Sequence, residues 1–165
     1  FALERQQLAE VKRIAQASRR CLSFLNLVMG TNEGWLGEDY LVLFDEPQRA
    51  AMSDAYGIGD LLPGYRLIGL RGWDDFIVED THGHHFTVPT VPSIADHLKP
   101  FDLNRESSLR TDERLVGKIK WYVQPLVFSG DPSAPENVVW VDQAQHAQLV
   151  KWWNAKYAEM KRESD

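Results

Sequence analysis

The chain has 165 residues, of which 44% are hydrophobic and 25% charged, and its formal net charge is −6. This length and composition predict a single globular domain over residues 1–165 and leave too little chain for two. No apolar run approaches the roughly 18 residues that would span a bilayer, so no membrane partner is expected. Residues 31–98 hold twelve acidic and three basic side chains. This balance argues against nucleic acid as a partner, because phosphates repel carboxylates.

A single cysteine, Cys21, excludes an internal disulfide and favours a reducing compartment. Its helical apolar spacing indicates a packed thiol rather than a nucleophile. No secretory leader pattern opens the chain at Phe1, so the cytoplasm is the expected location. The glycines form no phosphate-cradling motif, and no cofactor is expected.

The first predicted element is a long helix over residues 3–29, because apolar side chains recur there at spacings of three, four and seven. Gly30 would end this helix, and Thr31–Gly37 is predicted to be a loop. The compact apolar run Tyr40–Phe44 predicts a buried strand. A short helix is predicted next, over Gln48–Tyr56.

The most informative stretch follows, between residues 62 and 92. Three short runs rich in β-branched and aromatic residues, Tyr65–Leu70, Asp75–Glu79 and His85–Val88, are separated by turns that contain glycine. Such a pattern is typical of an antiparallel meander. It predicts a scaffold and carries no catalytic motif of its own.

Beyond the meander the chain predicts shorter elements and one long helix. In order, these are a helix Ile94–Leu98 capped by Ser93, an irregular loop Phe101–Thr111, strands Lys118–Phe128 and Val138–Val141, and a helix Gln143–Lys161 capped by Asp142. The buried stripe of that helix is expected to extend to Met160. The order of elements predicts the α+β class, with a mostly antiparallel sheet and a central meander packed by N-terminal and C-terminal helices.

Three imidazoles lie within four residues, at His82, His84 and His85. They could ligate zinc or nickel, and with Asp74 or Asp75 they would form a small metal-dependent or hydrolytic enzyme. Successive strand residues point to opposite faces, however, so His84 and His85 would diverge. No helical histidine pair and no second cysteine completes a ligand set. A solvated hairpin turn is the favoured interpretation, with no metal and no enzyme activity expected.

Six tryptophans are many for this length. Trp73 lies at a predicted turn tip beside Asp74 and Asp75, where a large aromatic side chain is hard to bury. Trp152 points about 100° away from its inward-facing neighbour Trp153. For Trp73 and Trp152 alike, packing within the fold and contact with a partner are both open.

Several short motifs occur together between residues 38 and 98. They are the strand Tyr40–Phe44 with its following helix, Leu62-Pro63-Gly64-Tyr65 leading into Ile68-Gly69, the strand Phe76–Val78, the hairpin glycine Gly83, and the aromatic strand Phe86–Pro89. With these motifs the segment resembles the SUKH superfamily, which includes fungal cell-wall-synthesis regulators and many bacterial toxin-immunity proteins. The resemblance implies a non-enzymatic binder that occludes a toxin, and it carries over no catalytic residues.

The resulting expectation is an immunity protein that neutralises a cognate bacterial toxin by direct binding. The alternative within the same fold is a regulatory or scaffolding module without a toxin. A toxin with a cationic active site, such as a nuclease, would suit the acidic middle segment. The partner-binding surface is expected to combine three acidic segments, formed by Trp73, Asp74 and Asp75, by Glu79 and Asp80, and by Asp45 and Glu46.

Overall fold

The computed structural model describes residues 31–103 and 109–164, together with Ala9 and Arg13. The chain divides into two compact units, one formed by Met29–Val116 and the other by Phe1–Val28 with Gly117–Asp165. The predicted helix over residues 3–29 lies outside the described residues, except at Ala9 and Arg13, which are both helical. The prediction of a single domain over the whole chain stays a prediction.

The first unit is built on an antiparallel sheet of six strands whose spatial order follows the sequence. The strands are β1 (Thr31–Leu36), β2 (Asp39–Phe44), β3 (Arg66–Arg71), β4 (Asp75–Glu79), β5 (His85–Pro89) and β6 (Lys99–Pro100). The predicted buried strand and the three-stranded meander are therefore confirmed, and the α+β class is correct.

The predicted loop at Thr31–Gly37 is wrong, because its first six residues form β1 and pair with β2 along their whole length. Gly37 and Glu38 make the two-residue turn between the strands, and Gly37 has a φ of 64° there. Glycine adopts this left-handed conformation without the steric penalty of a side chain. The hairpin thus adds a strand that composition did not indicate.

Two helices follow β2 and cover one face of the sheet. Helix α1 (Glu46–Tyr56) confirms the predicted short helix and ends at Gly57, and α2 (Ile58–Leu61) follows directly. The Ser53 hydroxyl accepts a hydrogen bond from the Leu67 backbone N–H at 2.9 Å, which ties α1 to β3. The Tyr56 ring packs edge-on against Phe76 of β4, with ring centroids 5.2 Å apart. Burial of each such side chain contributes roughly 2 to 3 kcal/mol to the hydrophobic free energy of folding.

A second apolar cluster lies around Leu41, Ile68 and Ile77, which are all buried. Partly buried residues pack against it, including Phe101, Leu103 and Leu109 from the chain that follows β6. Both faces of the sheet are therefore covered, which explains why β2, β3 and β4 are nearly continuous apolar runs instead of alternating ones.

The second unit contains a two-stranded antiparallel sheet, β7 (Ile119–Tyr122) and β8 (Val138–Val141), followed by helix α3 (Gln143–Ser164). Asp142 and Gln145 cap α3 reciprocally, each side chain accepting a hydrogen bond from the other's backbone N–H at 2.8 and 3.0 Å. The predicted cap, β8 and the final helix are confirmed. Among the described residues, no helix combines the length and apolarity needed to cross a membrane.

Three predicted details are wrong. The strand predicted over Lys118–Phe128 ends at Tyr122, because the chain bends near Pro125, which has no N–H for a sheet ladder. Ser93 caps no helix, since its hydroxyl donates to the carbonyls of Pro89 and Thr90 and only a short 3-10 turn follows. Met160 is exposed, because the buried face of α3 ends at Asn154.

Candidate functional site

The sheet of the first unit has two ends with different chemistry. Within the β3–β4 hairpin, Arg71 pairs with Asp75 beside the connecting turn, and Arg66 pairs with Glu79 at the other extremity. At about 3.4 Å per residue, the length of β4 separates these two positions by roughly 14 Å. We call the end that carries the turn at residues 72–74 the turn end, and the end that carries Glu79 the opposite end.

The residues expected to form one partner-binding surface divide between these ends. Trp73, Asp74 and Asp75 lie at the turn end, whereas Asp45, Glu46, Glu79 and Asp80 lie at the opposite end. Because β2 is antiparallel to β3, it ends beside the beginning of β3. The residues that follow β2 therefore lie far from the β3–β4 turn. The expectation of one continuous surface is therefore corrected, while the role of each residue in binding stays a prediction.

An aromatic stack occupies the turn end. The Trp73 ring lies nearly parallel to Tyr40, with centroids 5.1 Å apart, and edge-on to Trp35 at 6.3 Å. Trp35 in turn packs edge-on against Tyr40 at 5.3 Å. Trp73 is half-buried and has a φ of 64°, a left-handed conformation that bulky side chains rarely adopt. The strained turn folds the indole back onto the sheet, so Trp73 is more enclosed than its position at a turn suggests.

Buried polar groups hold this stack in place. The Tyr40 hydroxyl donates a 3.1 Å hydrogen bond to the Glu33 carboxylate, which is itself buried. Burial and the adjacent Glu33 raise the pKa of Tyr40 well above its usual value, so the phenol stays a donor. Trp35 donates from Nε1 to Asp112 at 3.3 Å. These contacts fix the orientations of the Tyr40 and Trp35 rings.

Carboxylates surround the stack, and sequence reasoning missed two of them. The turn between β1 and β2 brings Glu38 and Asp39 beside the β3–β4 turn, because β2 and β3 pair directly. Glu38 and Asp74 are exposed, and Asp39 forms an ion pair with Arg71 at 3.3 Å. The signal that could have found these acids is Gly37, which precedes the apolar strand at the spacing of a two-residue hairpin turn.

Asp75 differs from the other acids of the turn end because it is half-buried. Loss of hydration raises the pKa of Asp75 above its usual value, although the positive charges of Arg71 and Lys99 oppose this shift. The Asp75 carboxylate also lines an open cleft at the side of the sheet. For Asp75, the effect of lost hydration therefore exceeds the opposing effect of these two positive charges.

At the opposite end, arginines compensate the carboxylates of Glu46 and Glu79. Arg66 contacts Glu46 at 2.5 Å and Glu79 at 3.3 Å, and Arg49 contacts the same two carboxylates at 2.5 and 4.0 Å. His85 Nε2 lies 3.6 Å from Glu79 Oε2, and Glu79 is only 8% exposed. A buried carboxylate requires such partners, so this network has a structural explanation.

The histidine cluster also lies at the opposite end, away from Asp74 and Asp75. The backbone N–H groups of His82 and His84 both donate to Asp80 Oδ1 at 2.9 Å. Partial burial raises the pKa of Asp80, but these hydrogen bonds together lower it below its usual value. In the part of the chain that the structure describes, no group of three His, Cys, Asp or Glu side chains is arranged to hold a metal ion.

Two tryptophans of the second unit, Trp152 and Trp153, pack against each other. Trp152 meets Trp153 edge-on at 4.8 Å, and Trp153 contacts Phe128 at 4.7 Å. Lys156 covers the Trp152 ring at 5.5 Å. Trp140 is the most exposed tryptophan of this unit, at 46%. Packing within the unit therefore accounts for the contacts of Trp152 and Trp153.

Comparison with known proteins identifies no relative. Neither a protein-family model, nor a curated protein, nor a solved structure matches the chain. The SUKH resemblance of residues 38–98 therefore stays a prediction drawn from their own motifs. A functional assignment has to come from the chemistry of the two ends of the sheet.

Proposed function

We propose that the protein is an immunity protein that binds a cognate toxin directly through the turn end and thereby occludes its active site. The observation that carries the proposal is the charge of that end. Residues 37–39 and 71–75 together hold four carboxylates and one arginine, arranged around the stacked rings of Trp73 and Tyr40. Aromatic anchors surrounded by polar residues are typical of the energetic centres of protein interfaces.

The opposite end supports this choice by contrast. Its buried Glu79 is matched by Arg66 and Arg49, so those charges serve the fold. The exposed carboxylates of Glu38 and Asp74 lie at the rim of the turn end, where water and a partner can reach them. Carboxylates in such positions accelerate association with a basic surface more than they strengthen the final complex.

The proposed partner is a toxin with a cationic active site, such as a nuclease that contacts phosphates. An acidic surface would approach that site along the path of the anionic substrate and fill it. Inhibition then requires no chemistry from this chain. It requires a rigid surface, and the stack is held rigid by the hydrogen bonds of Tyr40 and Trp35.

The test begins with the gene beside the one that encodes this protein, because immunity genes adjoin their toxin genes. The product of that neighbouring gene is expressed alone and together with this protein, and cell survival is measured. The two purified proteins are then mixed and analysed by size-exclusion chromatography. We expect protection of the cells and a stable complex.

A matched pair of variants makes the test specific to the turn end. Glu38→Lys with Asp74→Lys reverses charge at the turn end, and Asp54→Lys with Asp60→Lys reverses two exposed acids in α1 and α2 of the same unit. The first pair should abolish protection, and the second should preserve it. Cells that die despite co-expression, with no complex formed, would overturn the proposal.

A further inference from the structure

A short segment that contains Arg110 lies along the outer edge of β1, next to the aromatic stack. Arg110 and Trp35 exchange two backbone hydrogen bonds, of 2.8 and 2.9 Å, and form a directly opposed antiparallel pair. The preceding residue, Leu109, packs against the apolar cluster around Leu41. The position of Arg110 is therefore fixed by backbone contacts and by its neighbour, and its own side chain is not needed to hold it there.

The pairing places the Arg110 side chain in line with the stack. Residues that are directly opposed in antiparallel strands carry their side chains on the same face of the sheet. Trp35 is opposed to Arg110 on one side and to Tyr40 on the other, and the Tyr40 ring stacks on Trp73. The row of aromatic side chains at the turn end thus finishes with a guanidinium group at the edge of the sheet.

Arg110 differs in its surroundings from the other four arginines that the structure describes in this unit. Each of those four contacts a carboxylate within 4.0 Å, and they are Arg49, Arg66, Arg71 and Arg114. Arg110 is exposed, and among the described residues its guanidinium takes part in no ion pair and no hydrogen bond. In this acidic unit, its positive charge is available to a partner.

The acid that follows Arg110 on the same face is already engaged. Asp112 accepts hydrogen bonds from Trp35 Nε1 at 3.3 Å and from Arg114 at 2.8 and 3.0 Å. Its charge therefore serves the segment itself. The stack consequently has the exposed carboxylates of Glu38 and Asp74 at the turns and an exposed cation at the edge of the sheet.

We propose that Arg110 binds a carboxylate of the toxin when the toxin covers the stack, an inference that rests on the proposed immunity function. A planar guanidinium can donate two parallel hydrogen bonds to one carboxylate, and arginine is enriched among the residues that contribute most to protein interfaces. From Arg110 to Tyr40 is two strand spacings, roughly 10 Å. The toxin would therefore present an acidic side chain about that far from the part of its surface that covers Tyr40.

Opposite charges on the two sides of the stack also select one orientation of the toxin. Its basic region would lie over Glu38 and Asp74, and its carboxylate over Arg110. The reversed orientation would bring like charges together on both sides, which electrostatic complementarity excludes. An entirely basic toxin surface would likewise be repelled at Arg110.

The first experiment measures binding of the neighbouring gene's product by calorimetry, beginning with the wild-type protein. Arg110→Glu should weaken the complex about tenfold or more. Lys99→Glu is the matched control, because it reverses an exposed cation on β6 at the other edge of the same sheet, and its affinity should stay roughly unchanged. Since the main chain makes the hydrogen bonds to Trp35, Arg110→Glu should fold, and a thermal melt followed by circular dichroism checks this.

The second experiment identifies the group that faces residue 110. Arg110→Lys puts a primary amine at this position, and the complex is then treated with a water-soluble carbodiimide, which joins an amine to a contacting carboxylate as an amide. Mass spectrometry should find a cross-link from position 110 to an aspartate or glutamate of the toxin. The native amine of Lys99 is the internal control and should give no cross-link to the toxin.

The outcomes separate this inference from the proposed function. A stable wild-type complex whose affinity is unchanged by Arg110→Glu would overturn the role of Arg110 and leave the immunity function standing. Cross-linking of the toxin through Lys99 and not through position 110 would do the same. A wild-type protein that forms no complex with the neighbouring gene's product would overturn both.

Discussion

Both ends of the six-stranded sheet carry aspartate and glutamate side chains, but the surroundings of these side chains differ between the ends. At the opposite end, Arg66 and Arg49 lie between Glu46 and Glu79, and the network links α1 to β3 and β4. At the turn end, Asp39 is paired with Arg71, while Glu38 and Asp74 are exposed beside an aromatic stack. Acidic composition alone cannot separate these situations. The separating feature is the surroundings of the carboxylate, since Glu79 is buried beside two arginines whereas Glu38 is exposed to solvent.

The largest loss of stability is expected from a change in β3, the strand that runs from the turn end to the opposite end. A Cβ added at Gly69 would collide with the backbone carbonyl oxygen of Val42 and approach the Leu43 side chain to 3.0 Å. We expect Gly69→Ala to lower the free energy of unfolding by about 3 kcal/mol. Urea denaturation followed by circular dichroism measures this.

Gly59→Ala is the control for that substitution, since no atom lies within 4 Å of the added Cβ. Its effect should stay within about 0.5 kcal/mol. Equal denaturation midpoints for the two variants would contradict the close approach of β2 and β3 at Gly69.

Trp73 lies in the turn between β3 and β4, so its ring can be removed from the stack without a substitution in either strand. Trp73→Ala should weaken toxin binding by about 2 kcal/mol or more, because the indole is the proposed anchor. It should also lower the melting temperature, because the stacking on Tyr40 is lost. Affinity is therefore measured by calorimetry well below the melting transition. A lower melting temperature with unchanged affinity of the folded protein would remove Trp73 from the interface and leave it as a lid on the sheet edge.

Neutralising acidic side chains at each end in turn shows which end affects the rate of association. Glu38→Gln with Asp74→Asn should slow association with the toxin several-fold at low salt, because exposed charges steer the encounter. Glu46→Gln at the opposite end should leave the association rate unchanged. At about 1 M salt, where the screening length is near 3 Å, the two variants should associate equally fast. Stopped-flow mixing resolves these rates, and a salt-independent difference would argue against steering.

Asp75 and Asp80 have pKa values that are shifted in opposite directions, and each shift has a small effect on stability. The raised pKa of Asp75 means that the folded protein binds this proton more tightly than the unfolded chain does. Its contribution to stability is present below the unfolded pKa and is lost as the pH rises through the folded pKa. The lowered pKa of Asp80 acts in the other direction, giving stability above the unfolded pKa that is lost on acidification.

Asparagine variants at these positions should therefore change stability with opposite signs near neutral pH. Asp75→Asn should raise the melting temperature by about 3 °C or less, and Asp80→Asn should lower it. At about pH 3, below the ordinary carboxyl pKa, both differences should shrink. Melting curves followed by fluorescence at the two pH values test this, and a lower neutral-pH melting temperature for Asp75→Asn would contradict the cost of burying its charge.

Much of the fold could be predicted because the signals were local. The meander follows from strand runs separated by glycine turns, and the start of α3 follows from Asp142 before a helical stripe. Strand β1 was missed because Asn32, Glu33 and Gly34 have low strand propensity. They form a strand because β2 pairs with all six residues of β1 and because Glu33 accepts a hydrogen bond from Tyr40, and both contacts depend on the tertiary structure.

The candidate site was harder to predict for the same reason. Trp73, Asp74 and Asp75 are adjacent in sequence, and they do lie together. Their neighbours Glu38 and Asp39 arrive through a hairpin more than thirty residues earlier. The compensation of Glu79 depends on Arg66 of β3 and Arg49 of α1, through ion pairs that no spacing rule indicates. Long-range pairing decides which acids are available, and a single sequence does not display it.

The absence of a side chain at Gly34 allows another segment of the chain to cover the outer edge of β1. Trp35 and Arg110 exchange backbone hydrogen bonds of 2.8 and 2.9 Å, and the Arg110–Thr111 backbone passes so close to Gly34 that a Cβ there would lie 2.7 Å from it. An exposed edge strand is a template on which other chains can polymerise. Here the Arg110–Thr111 segment of the same chain covers part of that edge, at Gly34 and Trp35. Concentrated solutions of the folded protein should accordingly resist growth of intermolecular sheets from this side.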